Sequence, residues 1–167
     1  MNDFSEEAAE ALANGADLTP QVGILAQYVK DLSFENPNAP SSLQMQGQPK
    51  IDVAVNVNAR SGGQDMFEVE LSIEATAKSP DERVAFVVSL IYAGLFRLAG
   101  APEEAIEPFL IVEAPRILFP FARRVVADSV RDGGFPPLML DPIDFGSMYL
   151  QQLEARGGAG QPAMGNA

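Results

Sequence analysis

Carboxylates are the residues best placed to do chemistry. Glu68, Glu70 and Glu74 alternate with Phe67, Val69, Leu71 and Ile73, so they share one face of a strand. Acids gathered in this way can hold a divalent cation or work as an acid–base pair. A solvated strand face, with Glu providing solubility, has the same pattern and is the ordinary reading. Asp31 and Glu35 stand on the outer face of an earlier strand, beside a proline-rich loop. A surface role is the default for such acids, and docking of a basic partner is the functional alternative.

The groups that would complete most active sites are missing. The 167 residues include no histidine, no cysteine and no tryptophan. That removes the commonest general base, the commonest metal ligand, disulfides, and every Ser-His or Cys-His nucleophile pair. Asp, Glu, Lys and Tyr could still exchange protons, so catalysis is disfavoured rather than excluded. Neither glycine pair suits a phosphate loop: Gly62-Gly63 lacks a following helix, and Gly133-Gly134 ends one. A net charge of -12 argues against binding a nucleic-acid backbone and favours basic partners. No basic and apolar leader opens the chain, and no apolar run approaches the roughly 20 residues that span a bilayer. The simplest expectation is a cytoplasmic protein.

Alternation predicts the elements that carry these acids. From Val22 to Phe34, Tyr28, Lys30, Leu32 and Phe34 are expected on one face, and Val29, Asp31, Ser33 and Glu35 on the other. Pro37 and Pro40 force an irregular connection. A second strand spans about 50–59, a hairpin turn about 60–65 and a third strand about 66–77. The fourth, about 82–95, is apolar almost throughout and needs cover on both faces. A buried helix is its rival, but the β-branched residues favour a strand. Residues 96–102 read as a crossing loop, and 103–110 as one or two helical turns broken near Pro108. A last helix covers about 144–155, with Phe145, Met148, Tyr149, Gln152 and Leu153 on one face and Asp141 or Asp144 as N-cap. The whole predicts an α+β domain over residues 21–155. It holds a four-stranded antiparallel meander, with two main helices on one face. Residues 1–20 are expected as a disordered acidic tail, with a docking arm as the functional alternative, and 156–167 as a disordered tail.

The chain's least ordinary stretch runs from Ala114 to Leu140. Two segments rich in proline and large apolar side chains flank a helical pattern that includes Leu118, Ala122, Val125 and Ser129. Proline withdraws a backbone donor, so both flanks are expected as ordered loops, with Pro120 in a helix's first turn and Gly133-Gly134 ending that helix. Apolar loops on an acidic protein suit binding; packing onto the protein's own core is the equal alternative.

Four blocks in order give this chain a family likeness. Phe34-Glu35-Asn36-Pro37-Asn38-Ala39-Pro40 resembles a segment of SecB, the bacterial protein-export chaperone. Pro115-Arg116-Ile117-Leu118-Phe119-Pro120-Phe121-Ala122-Arg123 resembles that family's P-x-I-L-F-P-Y/F-A-R signature. Gly134 to Phe145 resembles its G-x-F-P-x-L-x-L-x-P-V/I-N/D-F block, and Gly94 to Gly100 its G-I/V/L-F-x-I/L/V-x-G segment. The likeness spans about residues 24–153.

The resemblance implies an ATP-independent holdase with no enzymatic activity and no cofactor. It would bind non-native preproteins in apolar grooves and pass them to the translocase ATPase SecA. Phe96, Leu98, Phe119, Phe121, Phe135, Leu138 and Met139 would line the groove. Asp31, Glu35 and Val87 would dock SecA. A further family acid on strand four falls at Ser89 here, so docking is weaker or redistributed, onto Glu68, Glu70 or Glu74. The family's homotetramer, a dimer of dimers, would place Val88, Leu90, Tyr92, Ala122, Val125 and Ser129 at oligomer contacts. The competing readings are a SecB-like chaperone dedicated to one client, such as a toxin–antitoxin pair, and a carrier of small apolar ligands, which needs a closed cavity.

Overall fold

Alternating apolar and polar side chains build four long strands in the computed structural model, which describes residues 21–158. They are β1 (Gln21–Glu35), β2 (Lys50–Gly63), β3 (Met66–Lys78) and β4 (Val84–Ala99), and every neighbouring pair is antiparallel. The sheet order is β1-β4-β3-β2, which corrects the expected meander. β2, β3 and β4 follow one another by short turns, while the long proline-rich connection carries the chain from β1 across the sheet to β2 on the far edge and leaves β1 paired with β4, as in a Greek key. The physical reason lies in β4. As the most apolar strand it would be a liability at an edge, and this order puts it inside the sheet.

Two expectations about the strands change with the structure. The β1–β4 register slips between Ile24 and Ala26 and again between Val29 and Asp31. Each slip inserts a residue and flips the alternation. Val29 therefore pairs with Tyr92 on the helix-covered face, and Tyr28 lies on the opposite face from Leu32 and Phe34. β4 also continues to Ala99, because β1 and β3 both keep pairing with it as far as Arg97. Phe96 and Leu98 thus belong to a strand and not to a crossing loop. The β2–β3 turn is tight: Gln64 and Asp65 both take positive φ, as a two-residue hairpin requires.

Beyond β4 the chain is helical for three consecutive segments: α1 (Glu103–Pro108), a π-helical turn (Phe109–Glu113) and α2 (Ala114–Asp132). This overturns the ordered loop expected for the proline-rich flank that begins at Ala114. Pro115 sits in the first turn of α2, and Pro120 lies inside the helix on its exposed side. An interior proline costs about 3 kcal/mol. Leu118, Phe119, Val126 and Val130 are all buried by the same helix. At roughly 1.5–3 kcal/mol for each large side chain, that burial outweighs the proline. The helix ends in a Schellman motif. Gly134 N–H donates to the Arg131 carbonyl and Phe135 N–H to that of Val130, with Gly134 at φ +92°.

The last helix, α3 (Phe145–Gly158), is capped by Asp144, whose Oδ1 accepts from Ser147 N–H at 3.0 Å. Residues 156–158, expected in the tail, are helical. The remaining tail expectations, 1–20 and 159–167, lie outside the described residues.

Core packing joins α2 to the two central strands. Leu71, Ile73, Val88, Leu90 and Phe96 meet Leu118, Ala122, Val126 and Val130 in one apolar cluster. Gly94 permits the close approach: a Cβ there would fall 2.7 Å from the Phe96 ring and 2.8 Å from a Leu118 methyl. Gly94→Ala is expected to lower unfolding free energy by about 1–3 kcal/mol through overpacking. A urea titration checks this, with the midpoint falling while the slope stays constant.

Candidate functional site

The proline-rich connection and the segment after α2 meet at one end of the sheet. Side-chain hydrogen bonds hold the connection in place. Ser42 Oγ bonds to Asn36 Oδ1, and Asn38 Nδ2 donates to the Val84 carbonyl at 2.9 Å, tying the loop to the start of β4. Beside it, the Phe34, Phe86 and Phe135 rings form a ladder with centroid separations of 5.9 and 5.0 Å. Gly133 lets α2 end directly against this ladder, since a Cβ would stand 2.1 Å from Phe34 Cζ. The result is a cavity of about 520 Å³, lined among others by Leu43, Met45, Ile51, Phe86, Phe135 and Leu138. Its walls are mainly apolar, and it is open to solvent.

Of the side chains expected to line a groove, Phe135 and Leu138 are at this cavity and half-buried. Met139 and Phe121 keep 60% and 47% of their surface. Phe121 lies away from the cavity, stacked on Tyr92 with centroids 6.4 Å apart. The expectation that Phe96, Leu98 and Phe119 face a ligand meets a core instead. They retain 0%, 3% and 7% of their surface, and Phe96 and Phe119 pack edge-on against Phe109 and Phe145. The cause is the extension of β4 and α2, which turns these side chains between sheet and helix. Leu43, Met45, Ile51 and Phe86 complete the cavity and were not among the expected residues. The signal for Leu43 and Met45 was present, as apolar side chains inside the proline-rich connection.

The expected oligomer contacts divide in the same way. Val88, Leu90 and Ala122 are fully covered within the chain, so they offer no area to another copy. Tyr92 is nearly buried, with its hydroxyl donating to Gln27 Oε1 at 3.3 Å. Val125 and Ser129 are half-buried on α2, beside the Arg124–Asp128 pair at 3.8 Å. A different apolar row stands open. Val22, Ile24, Leu25, Val29 and Leu32 on the edge strand β1 keep 43–52% of their surface.

Among the described residues, no helix packs on the opposite face of the sheet. Glu35 pairs with Val87 across β1 and β4, and Asp31 with Ile91, so the three expected docking residues do share this open face. Toward its other end lies a knot of charges. Lys30 Nζ stands 2.8 Å from Glu68 Oε1 and also bonds Glu70. Arg60 reaches both glutamates, and the Tyr28 hydroxyl donates to Glu68. The Lys30 ammonium, and then Tyr28, hold the Glu68 carboxyl at about 2. Glu70 is likewise held below the usual carboxylate range, by Lys30 first. These acids are bound within the sheet. Among the described residues, no group of His, Cys, Asp or Glu could hold a metal ion, and no helix is long and apolar enough to cross a membrane.

Comparison with known proteins places this architecture. Residues 15–156 match the family described as SecB, preprotein translocase subunit SecB. The protein-export protein SecB of Rhizorhabdus wittichii is 57% identical over 153 residues, covering 90% of this chain and 92% of the relative. That of Zymomonas mobilis is 55% identical over 153 residues, covering 92% of this chain and 90% of the relative. Among solved structures, a SecB-like chaperone of Mycobacterium tuberculosis in complex with a ChAD peptide from the HigA1 antitoxin superposes with a TM-score of 0.62. It is 17% identical to this chain, covering 82% of it and 96% of its own length, which is a likeness of fold.

The charge knot carries a pH signature. Glu68 binds its proton less readily folded than unfolded, so its contribution is complete above the ordinary value of 4.5 and lost as pH falls toward about 2. Unfolding free energy measured by denaturant titration should therefore decline through that window, and Lys30→Met should flatten the decline.

Proposed function

The chain belongs to the SecB family of protein-export chaperones, and from that premise we propose that it is an ATP-independent holdase for unfolded preproteins. The family is one of chaperones and not of enzymes. The observation that carries the holdase reading is the open apolar cavity at the crossover, formed by Leu43, Met45, Ile51, Phe86, Phe135 and Leu138. Burial of apolar area is non-directional, so such a pocket accepts large side chains from many sequences. Exposed Ile51 and Val53 continue the apolar surface along β2, next to that strand's free backbone edge. An extended client segment can lie there with its backbone groups unsatisfied by any fold of its own. The work requires no cofactor and no nucleotide, because holding is a binding equilibrium.

Delivery follows from the opposite face. Asp31, Glu35 and Val87 would receive SecA on the open side of the sheet, leaving the cavity side to the client. The exposed row on β1 supports assembly with further copies, in keeping with a cytoplasmic homotetramer. With Val88, Leu90 and Ala122 inside the chain, the contacts between copies would rest on that row, on Tyr92, and on Val125 and Ser129 of α2. Identity above 50% to export proteins favours a general export role over a chaperone dedicated to one antitoxin, since the antitoxin-bound neighbour shares only the fold.

Replacing Phe135 and Leu43 together by serine tests the cavity. Both are at least partly exposed, so the fold should persist by circular dichroism. Losing two apolar side chains worth about 1.5–3 kcal/mol each when fully buried should weaken an unfolded preprotein's affinity by about tenfold or more. Isothermal titration without nucleotide measures this; unchanged affinity would remove the cavity from the client path.

A further inference from the structure

Sulfur enters this chain only through methionine, since cysteine is absent. Two-electron oxidation turns that flexible apolar thioether into a polar sulfoxide. Met45, Met66, Met139 and Met148 fall within the described residues, and their surroundings differ. Met139 is the most open, keeping 60% of its surface, and is not part of the cavity lining. Met66 and Met148 are half-buried, at the β2–β3 hairpin and on α3. Among these four, Met45 alone lines the crossover cavity, half-buried and packed against the apolar core.

The crossover holds that thioether in place. Met45 follows a 3₁₀ turn, Ser41–Gln44, and its N–H donates to the Ser42 carbonyl at 3.4 Å. Ser42 is itself anchored through Asn36. With the backbone fixed, the side chain stays at a wall that solvent reaches, beside Leu43, Phe86 and Leu138. A small oxidant can approach the sulfur there. The fold tolerates the product, because water entering the open cavity can hydrate the new oxygen. A client side chain seated in the cavity would strip that water, and the side chains of Leu43, Phe86 and Leu138 offer the oxygen no donor in exchange. The cost of oxidation therefore falls on binding and not on folding.

We propose that Met45 is a reversible modification site at which peroxide switches the cavity from accepting clients to rejecting them. The inference rests on the reading that this cavity holds clients. The thioether sulfur attacks one peroxide oxygen: an S–O bond forms and the O–O bond breaks. The hydroxide that leaves takes the proton of the transferred oxygen and departs as water. Methionine is oxidised by two electrons and the peroxide is reduced by the same two. The return step needs a methionine sulfoxide reductase, which oxidises two thiols to a disulfide and releases water. Leucine at this position would keep a similar volume and polarity without the sensitivity.

The full chain is treated with hydrogen peroxide, the excess is removed with catalase, and an unfolded preprotein is then added for titration calorimetry. Peptide mass spectrometry reads the state of each methionine. Sulfoxide at Met45 should accompany a loss of affinity of about five- to tenfold, with the circular-dichroism spectrum unchanged. Incubation with methionine sulfoxide reductases and dithiothreitol should restore binding. Met45→Leu should bind within about twofold of the unmodified protein and keep that affinity after peroxide. Met139→Leu, which removes the more exposed thioether, should still lose affinity on treatment. The switch would be overturned by an equal loss in Met45→Leu, by full Met45 sulfoxide with unchanged binding, or by a loss that comes with unfolding. It would also be overturned by Met45 staying reduced once Met139 is fully oxidised. Each of these leaves the cavity reading standing, provided the untreated protein binds; an untreated protein that binds no preprotein would overturn both.

Discussion

One helix is too narrow for four strands. An α-helix with its side chains is about 10 Å across, while the outer strands of this sheet lie three spacings of about 4.8 Å apart. α2 therefore buries the apolar rows of β3 and β4, and leaves those of β1 and β2 partly open on either side. That mismatch organises the rest of the structure. On the β2 side the crossover and the Gly133–Leu140 segment build the uncovered area into a cavity. On the β1 side Val22, Ile24, Val29 and Leu32 remain as an exposed row. Apolar area left open on both flanks is the physical basis for the proposal that the chain binds other polypeptides and its own copies.

The glycines of the family-like blocks serve this arrangement. Gly94 lets α2 lie low on the sheet, and Gly133 brings its end against the Phe34 ring. Gly134 turns the chain into the cavity wall. Ser42, Asn36 and Asn38 fix the crossover, so the cavity is preformed by hydrogen bonds and not by a ligand. On the far side the division is electrostatic: a neutral knot around Glu68 and Glu70 ties β1, β2 and β3 together across the outer face, and acids without an ion-pair partner among the described residues lie toward the other end.

Much of this was legible beforehand. The period-two alternation of Ile51 to Val57 and of Phe67 to Ala75 predicted β2 and β3, and the family blocks predicted the sheet-and-helix fold. What escaped followed from tertiary effects. The strand order depends on where β4 is most protected, which no local pattern encodes. The two register slips in β1 reversed the faces of Tyr28 and Val29, because an inserted residue leaves no mark in composition. Pro115 argued for a loop and Pro120 for a helix's first turn, until the burial of Leu118, Phe119, Val126 and Val130 was weighed against them. Phe96, Leu98 and Phe119 were placed on the groove by the family resemblance alone; within this chain the length of β4 and α2 turns them into the core.

The central claim is that clients lie on the helix side of the sheet, at the crossover cavity, and not on the open face. A photo-crosslinking amino acid placed singly at Leu43, Leu138 or Ser72, followed by exposure to a bound unfolded preprotein, tests it directly. Strong adducts from positions 43 and 138, with little from position 72, are the result this account predicts. Adducts mainly from position 72 would contradict it.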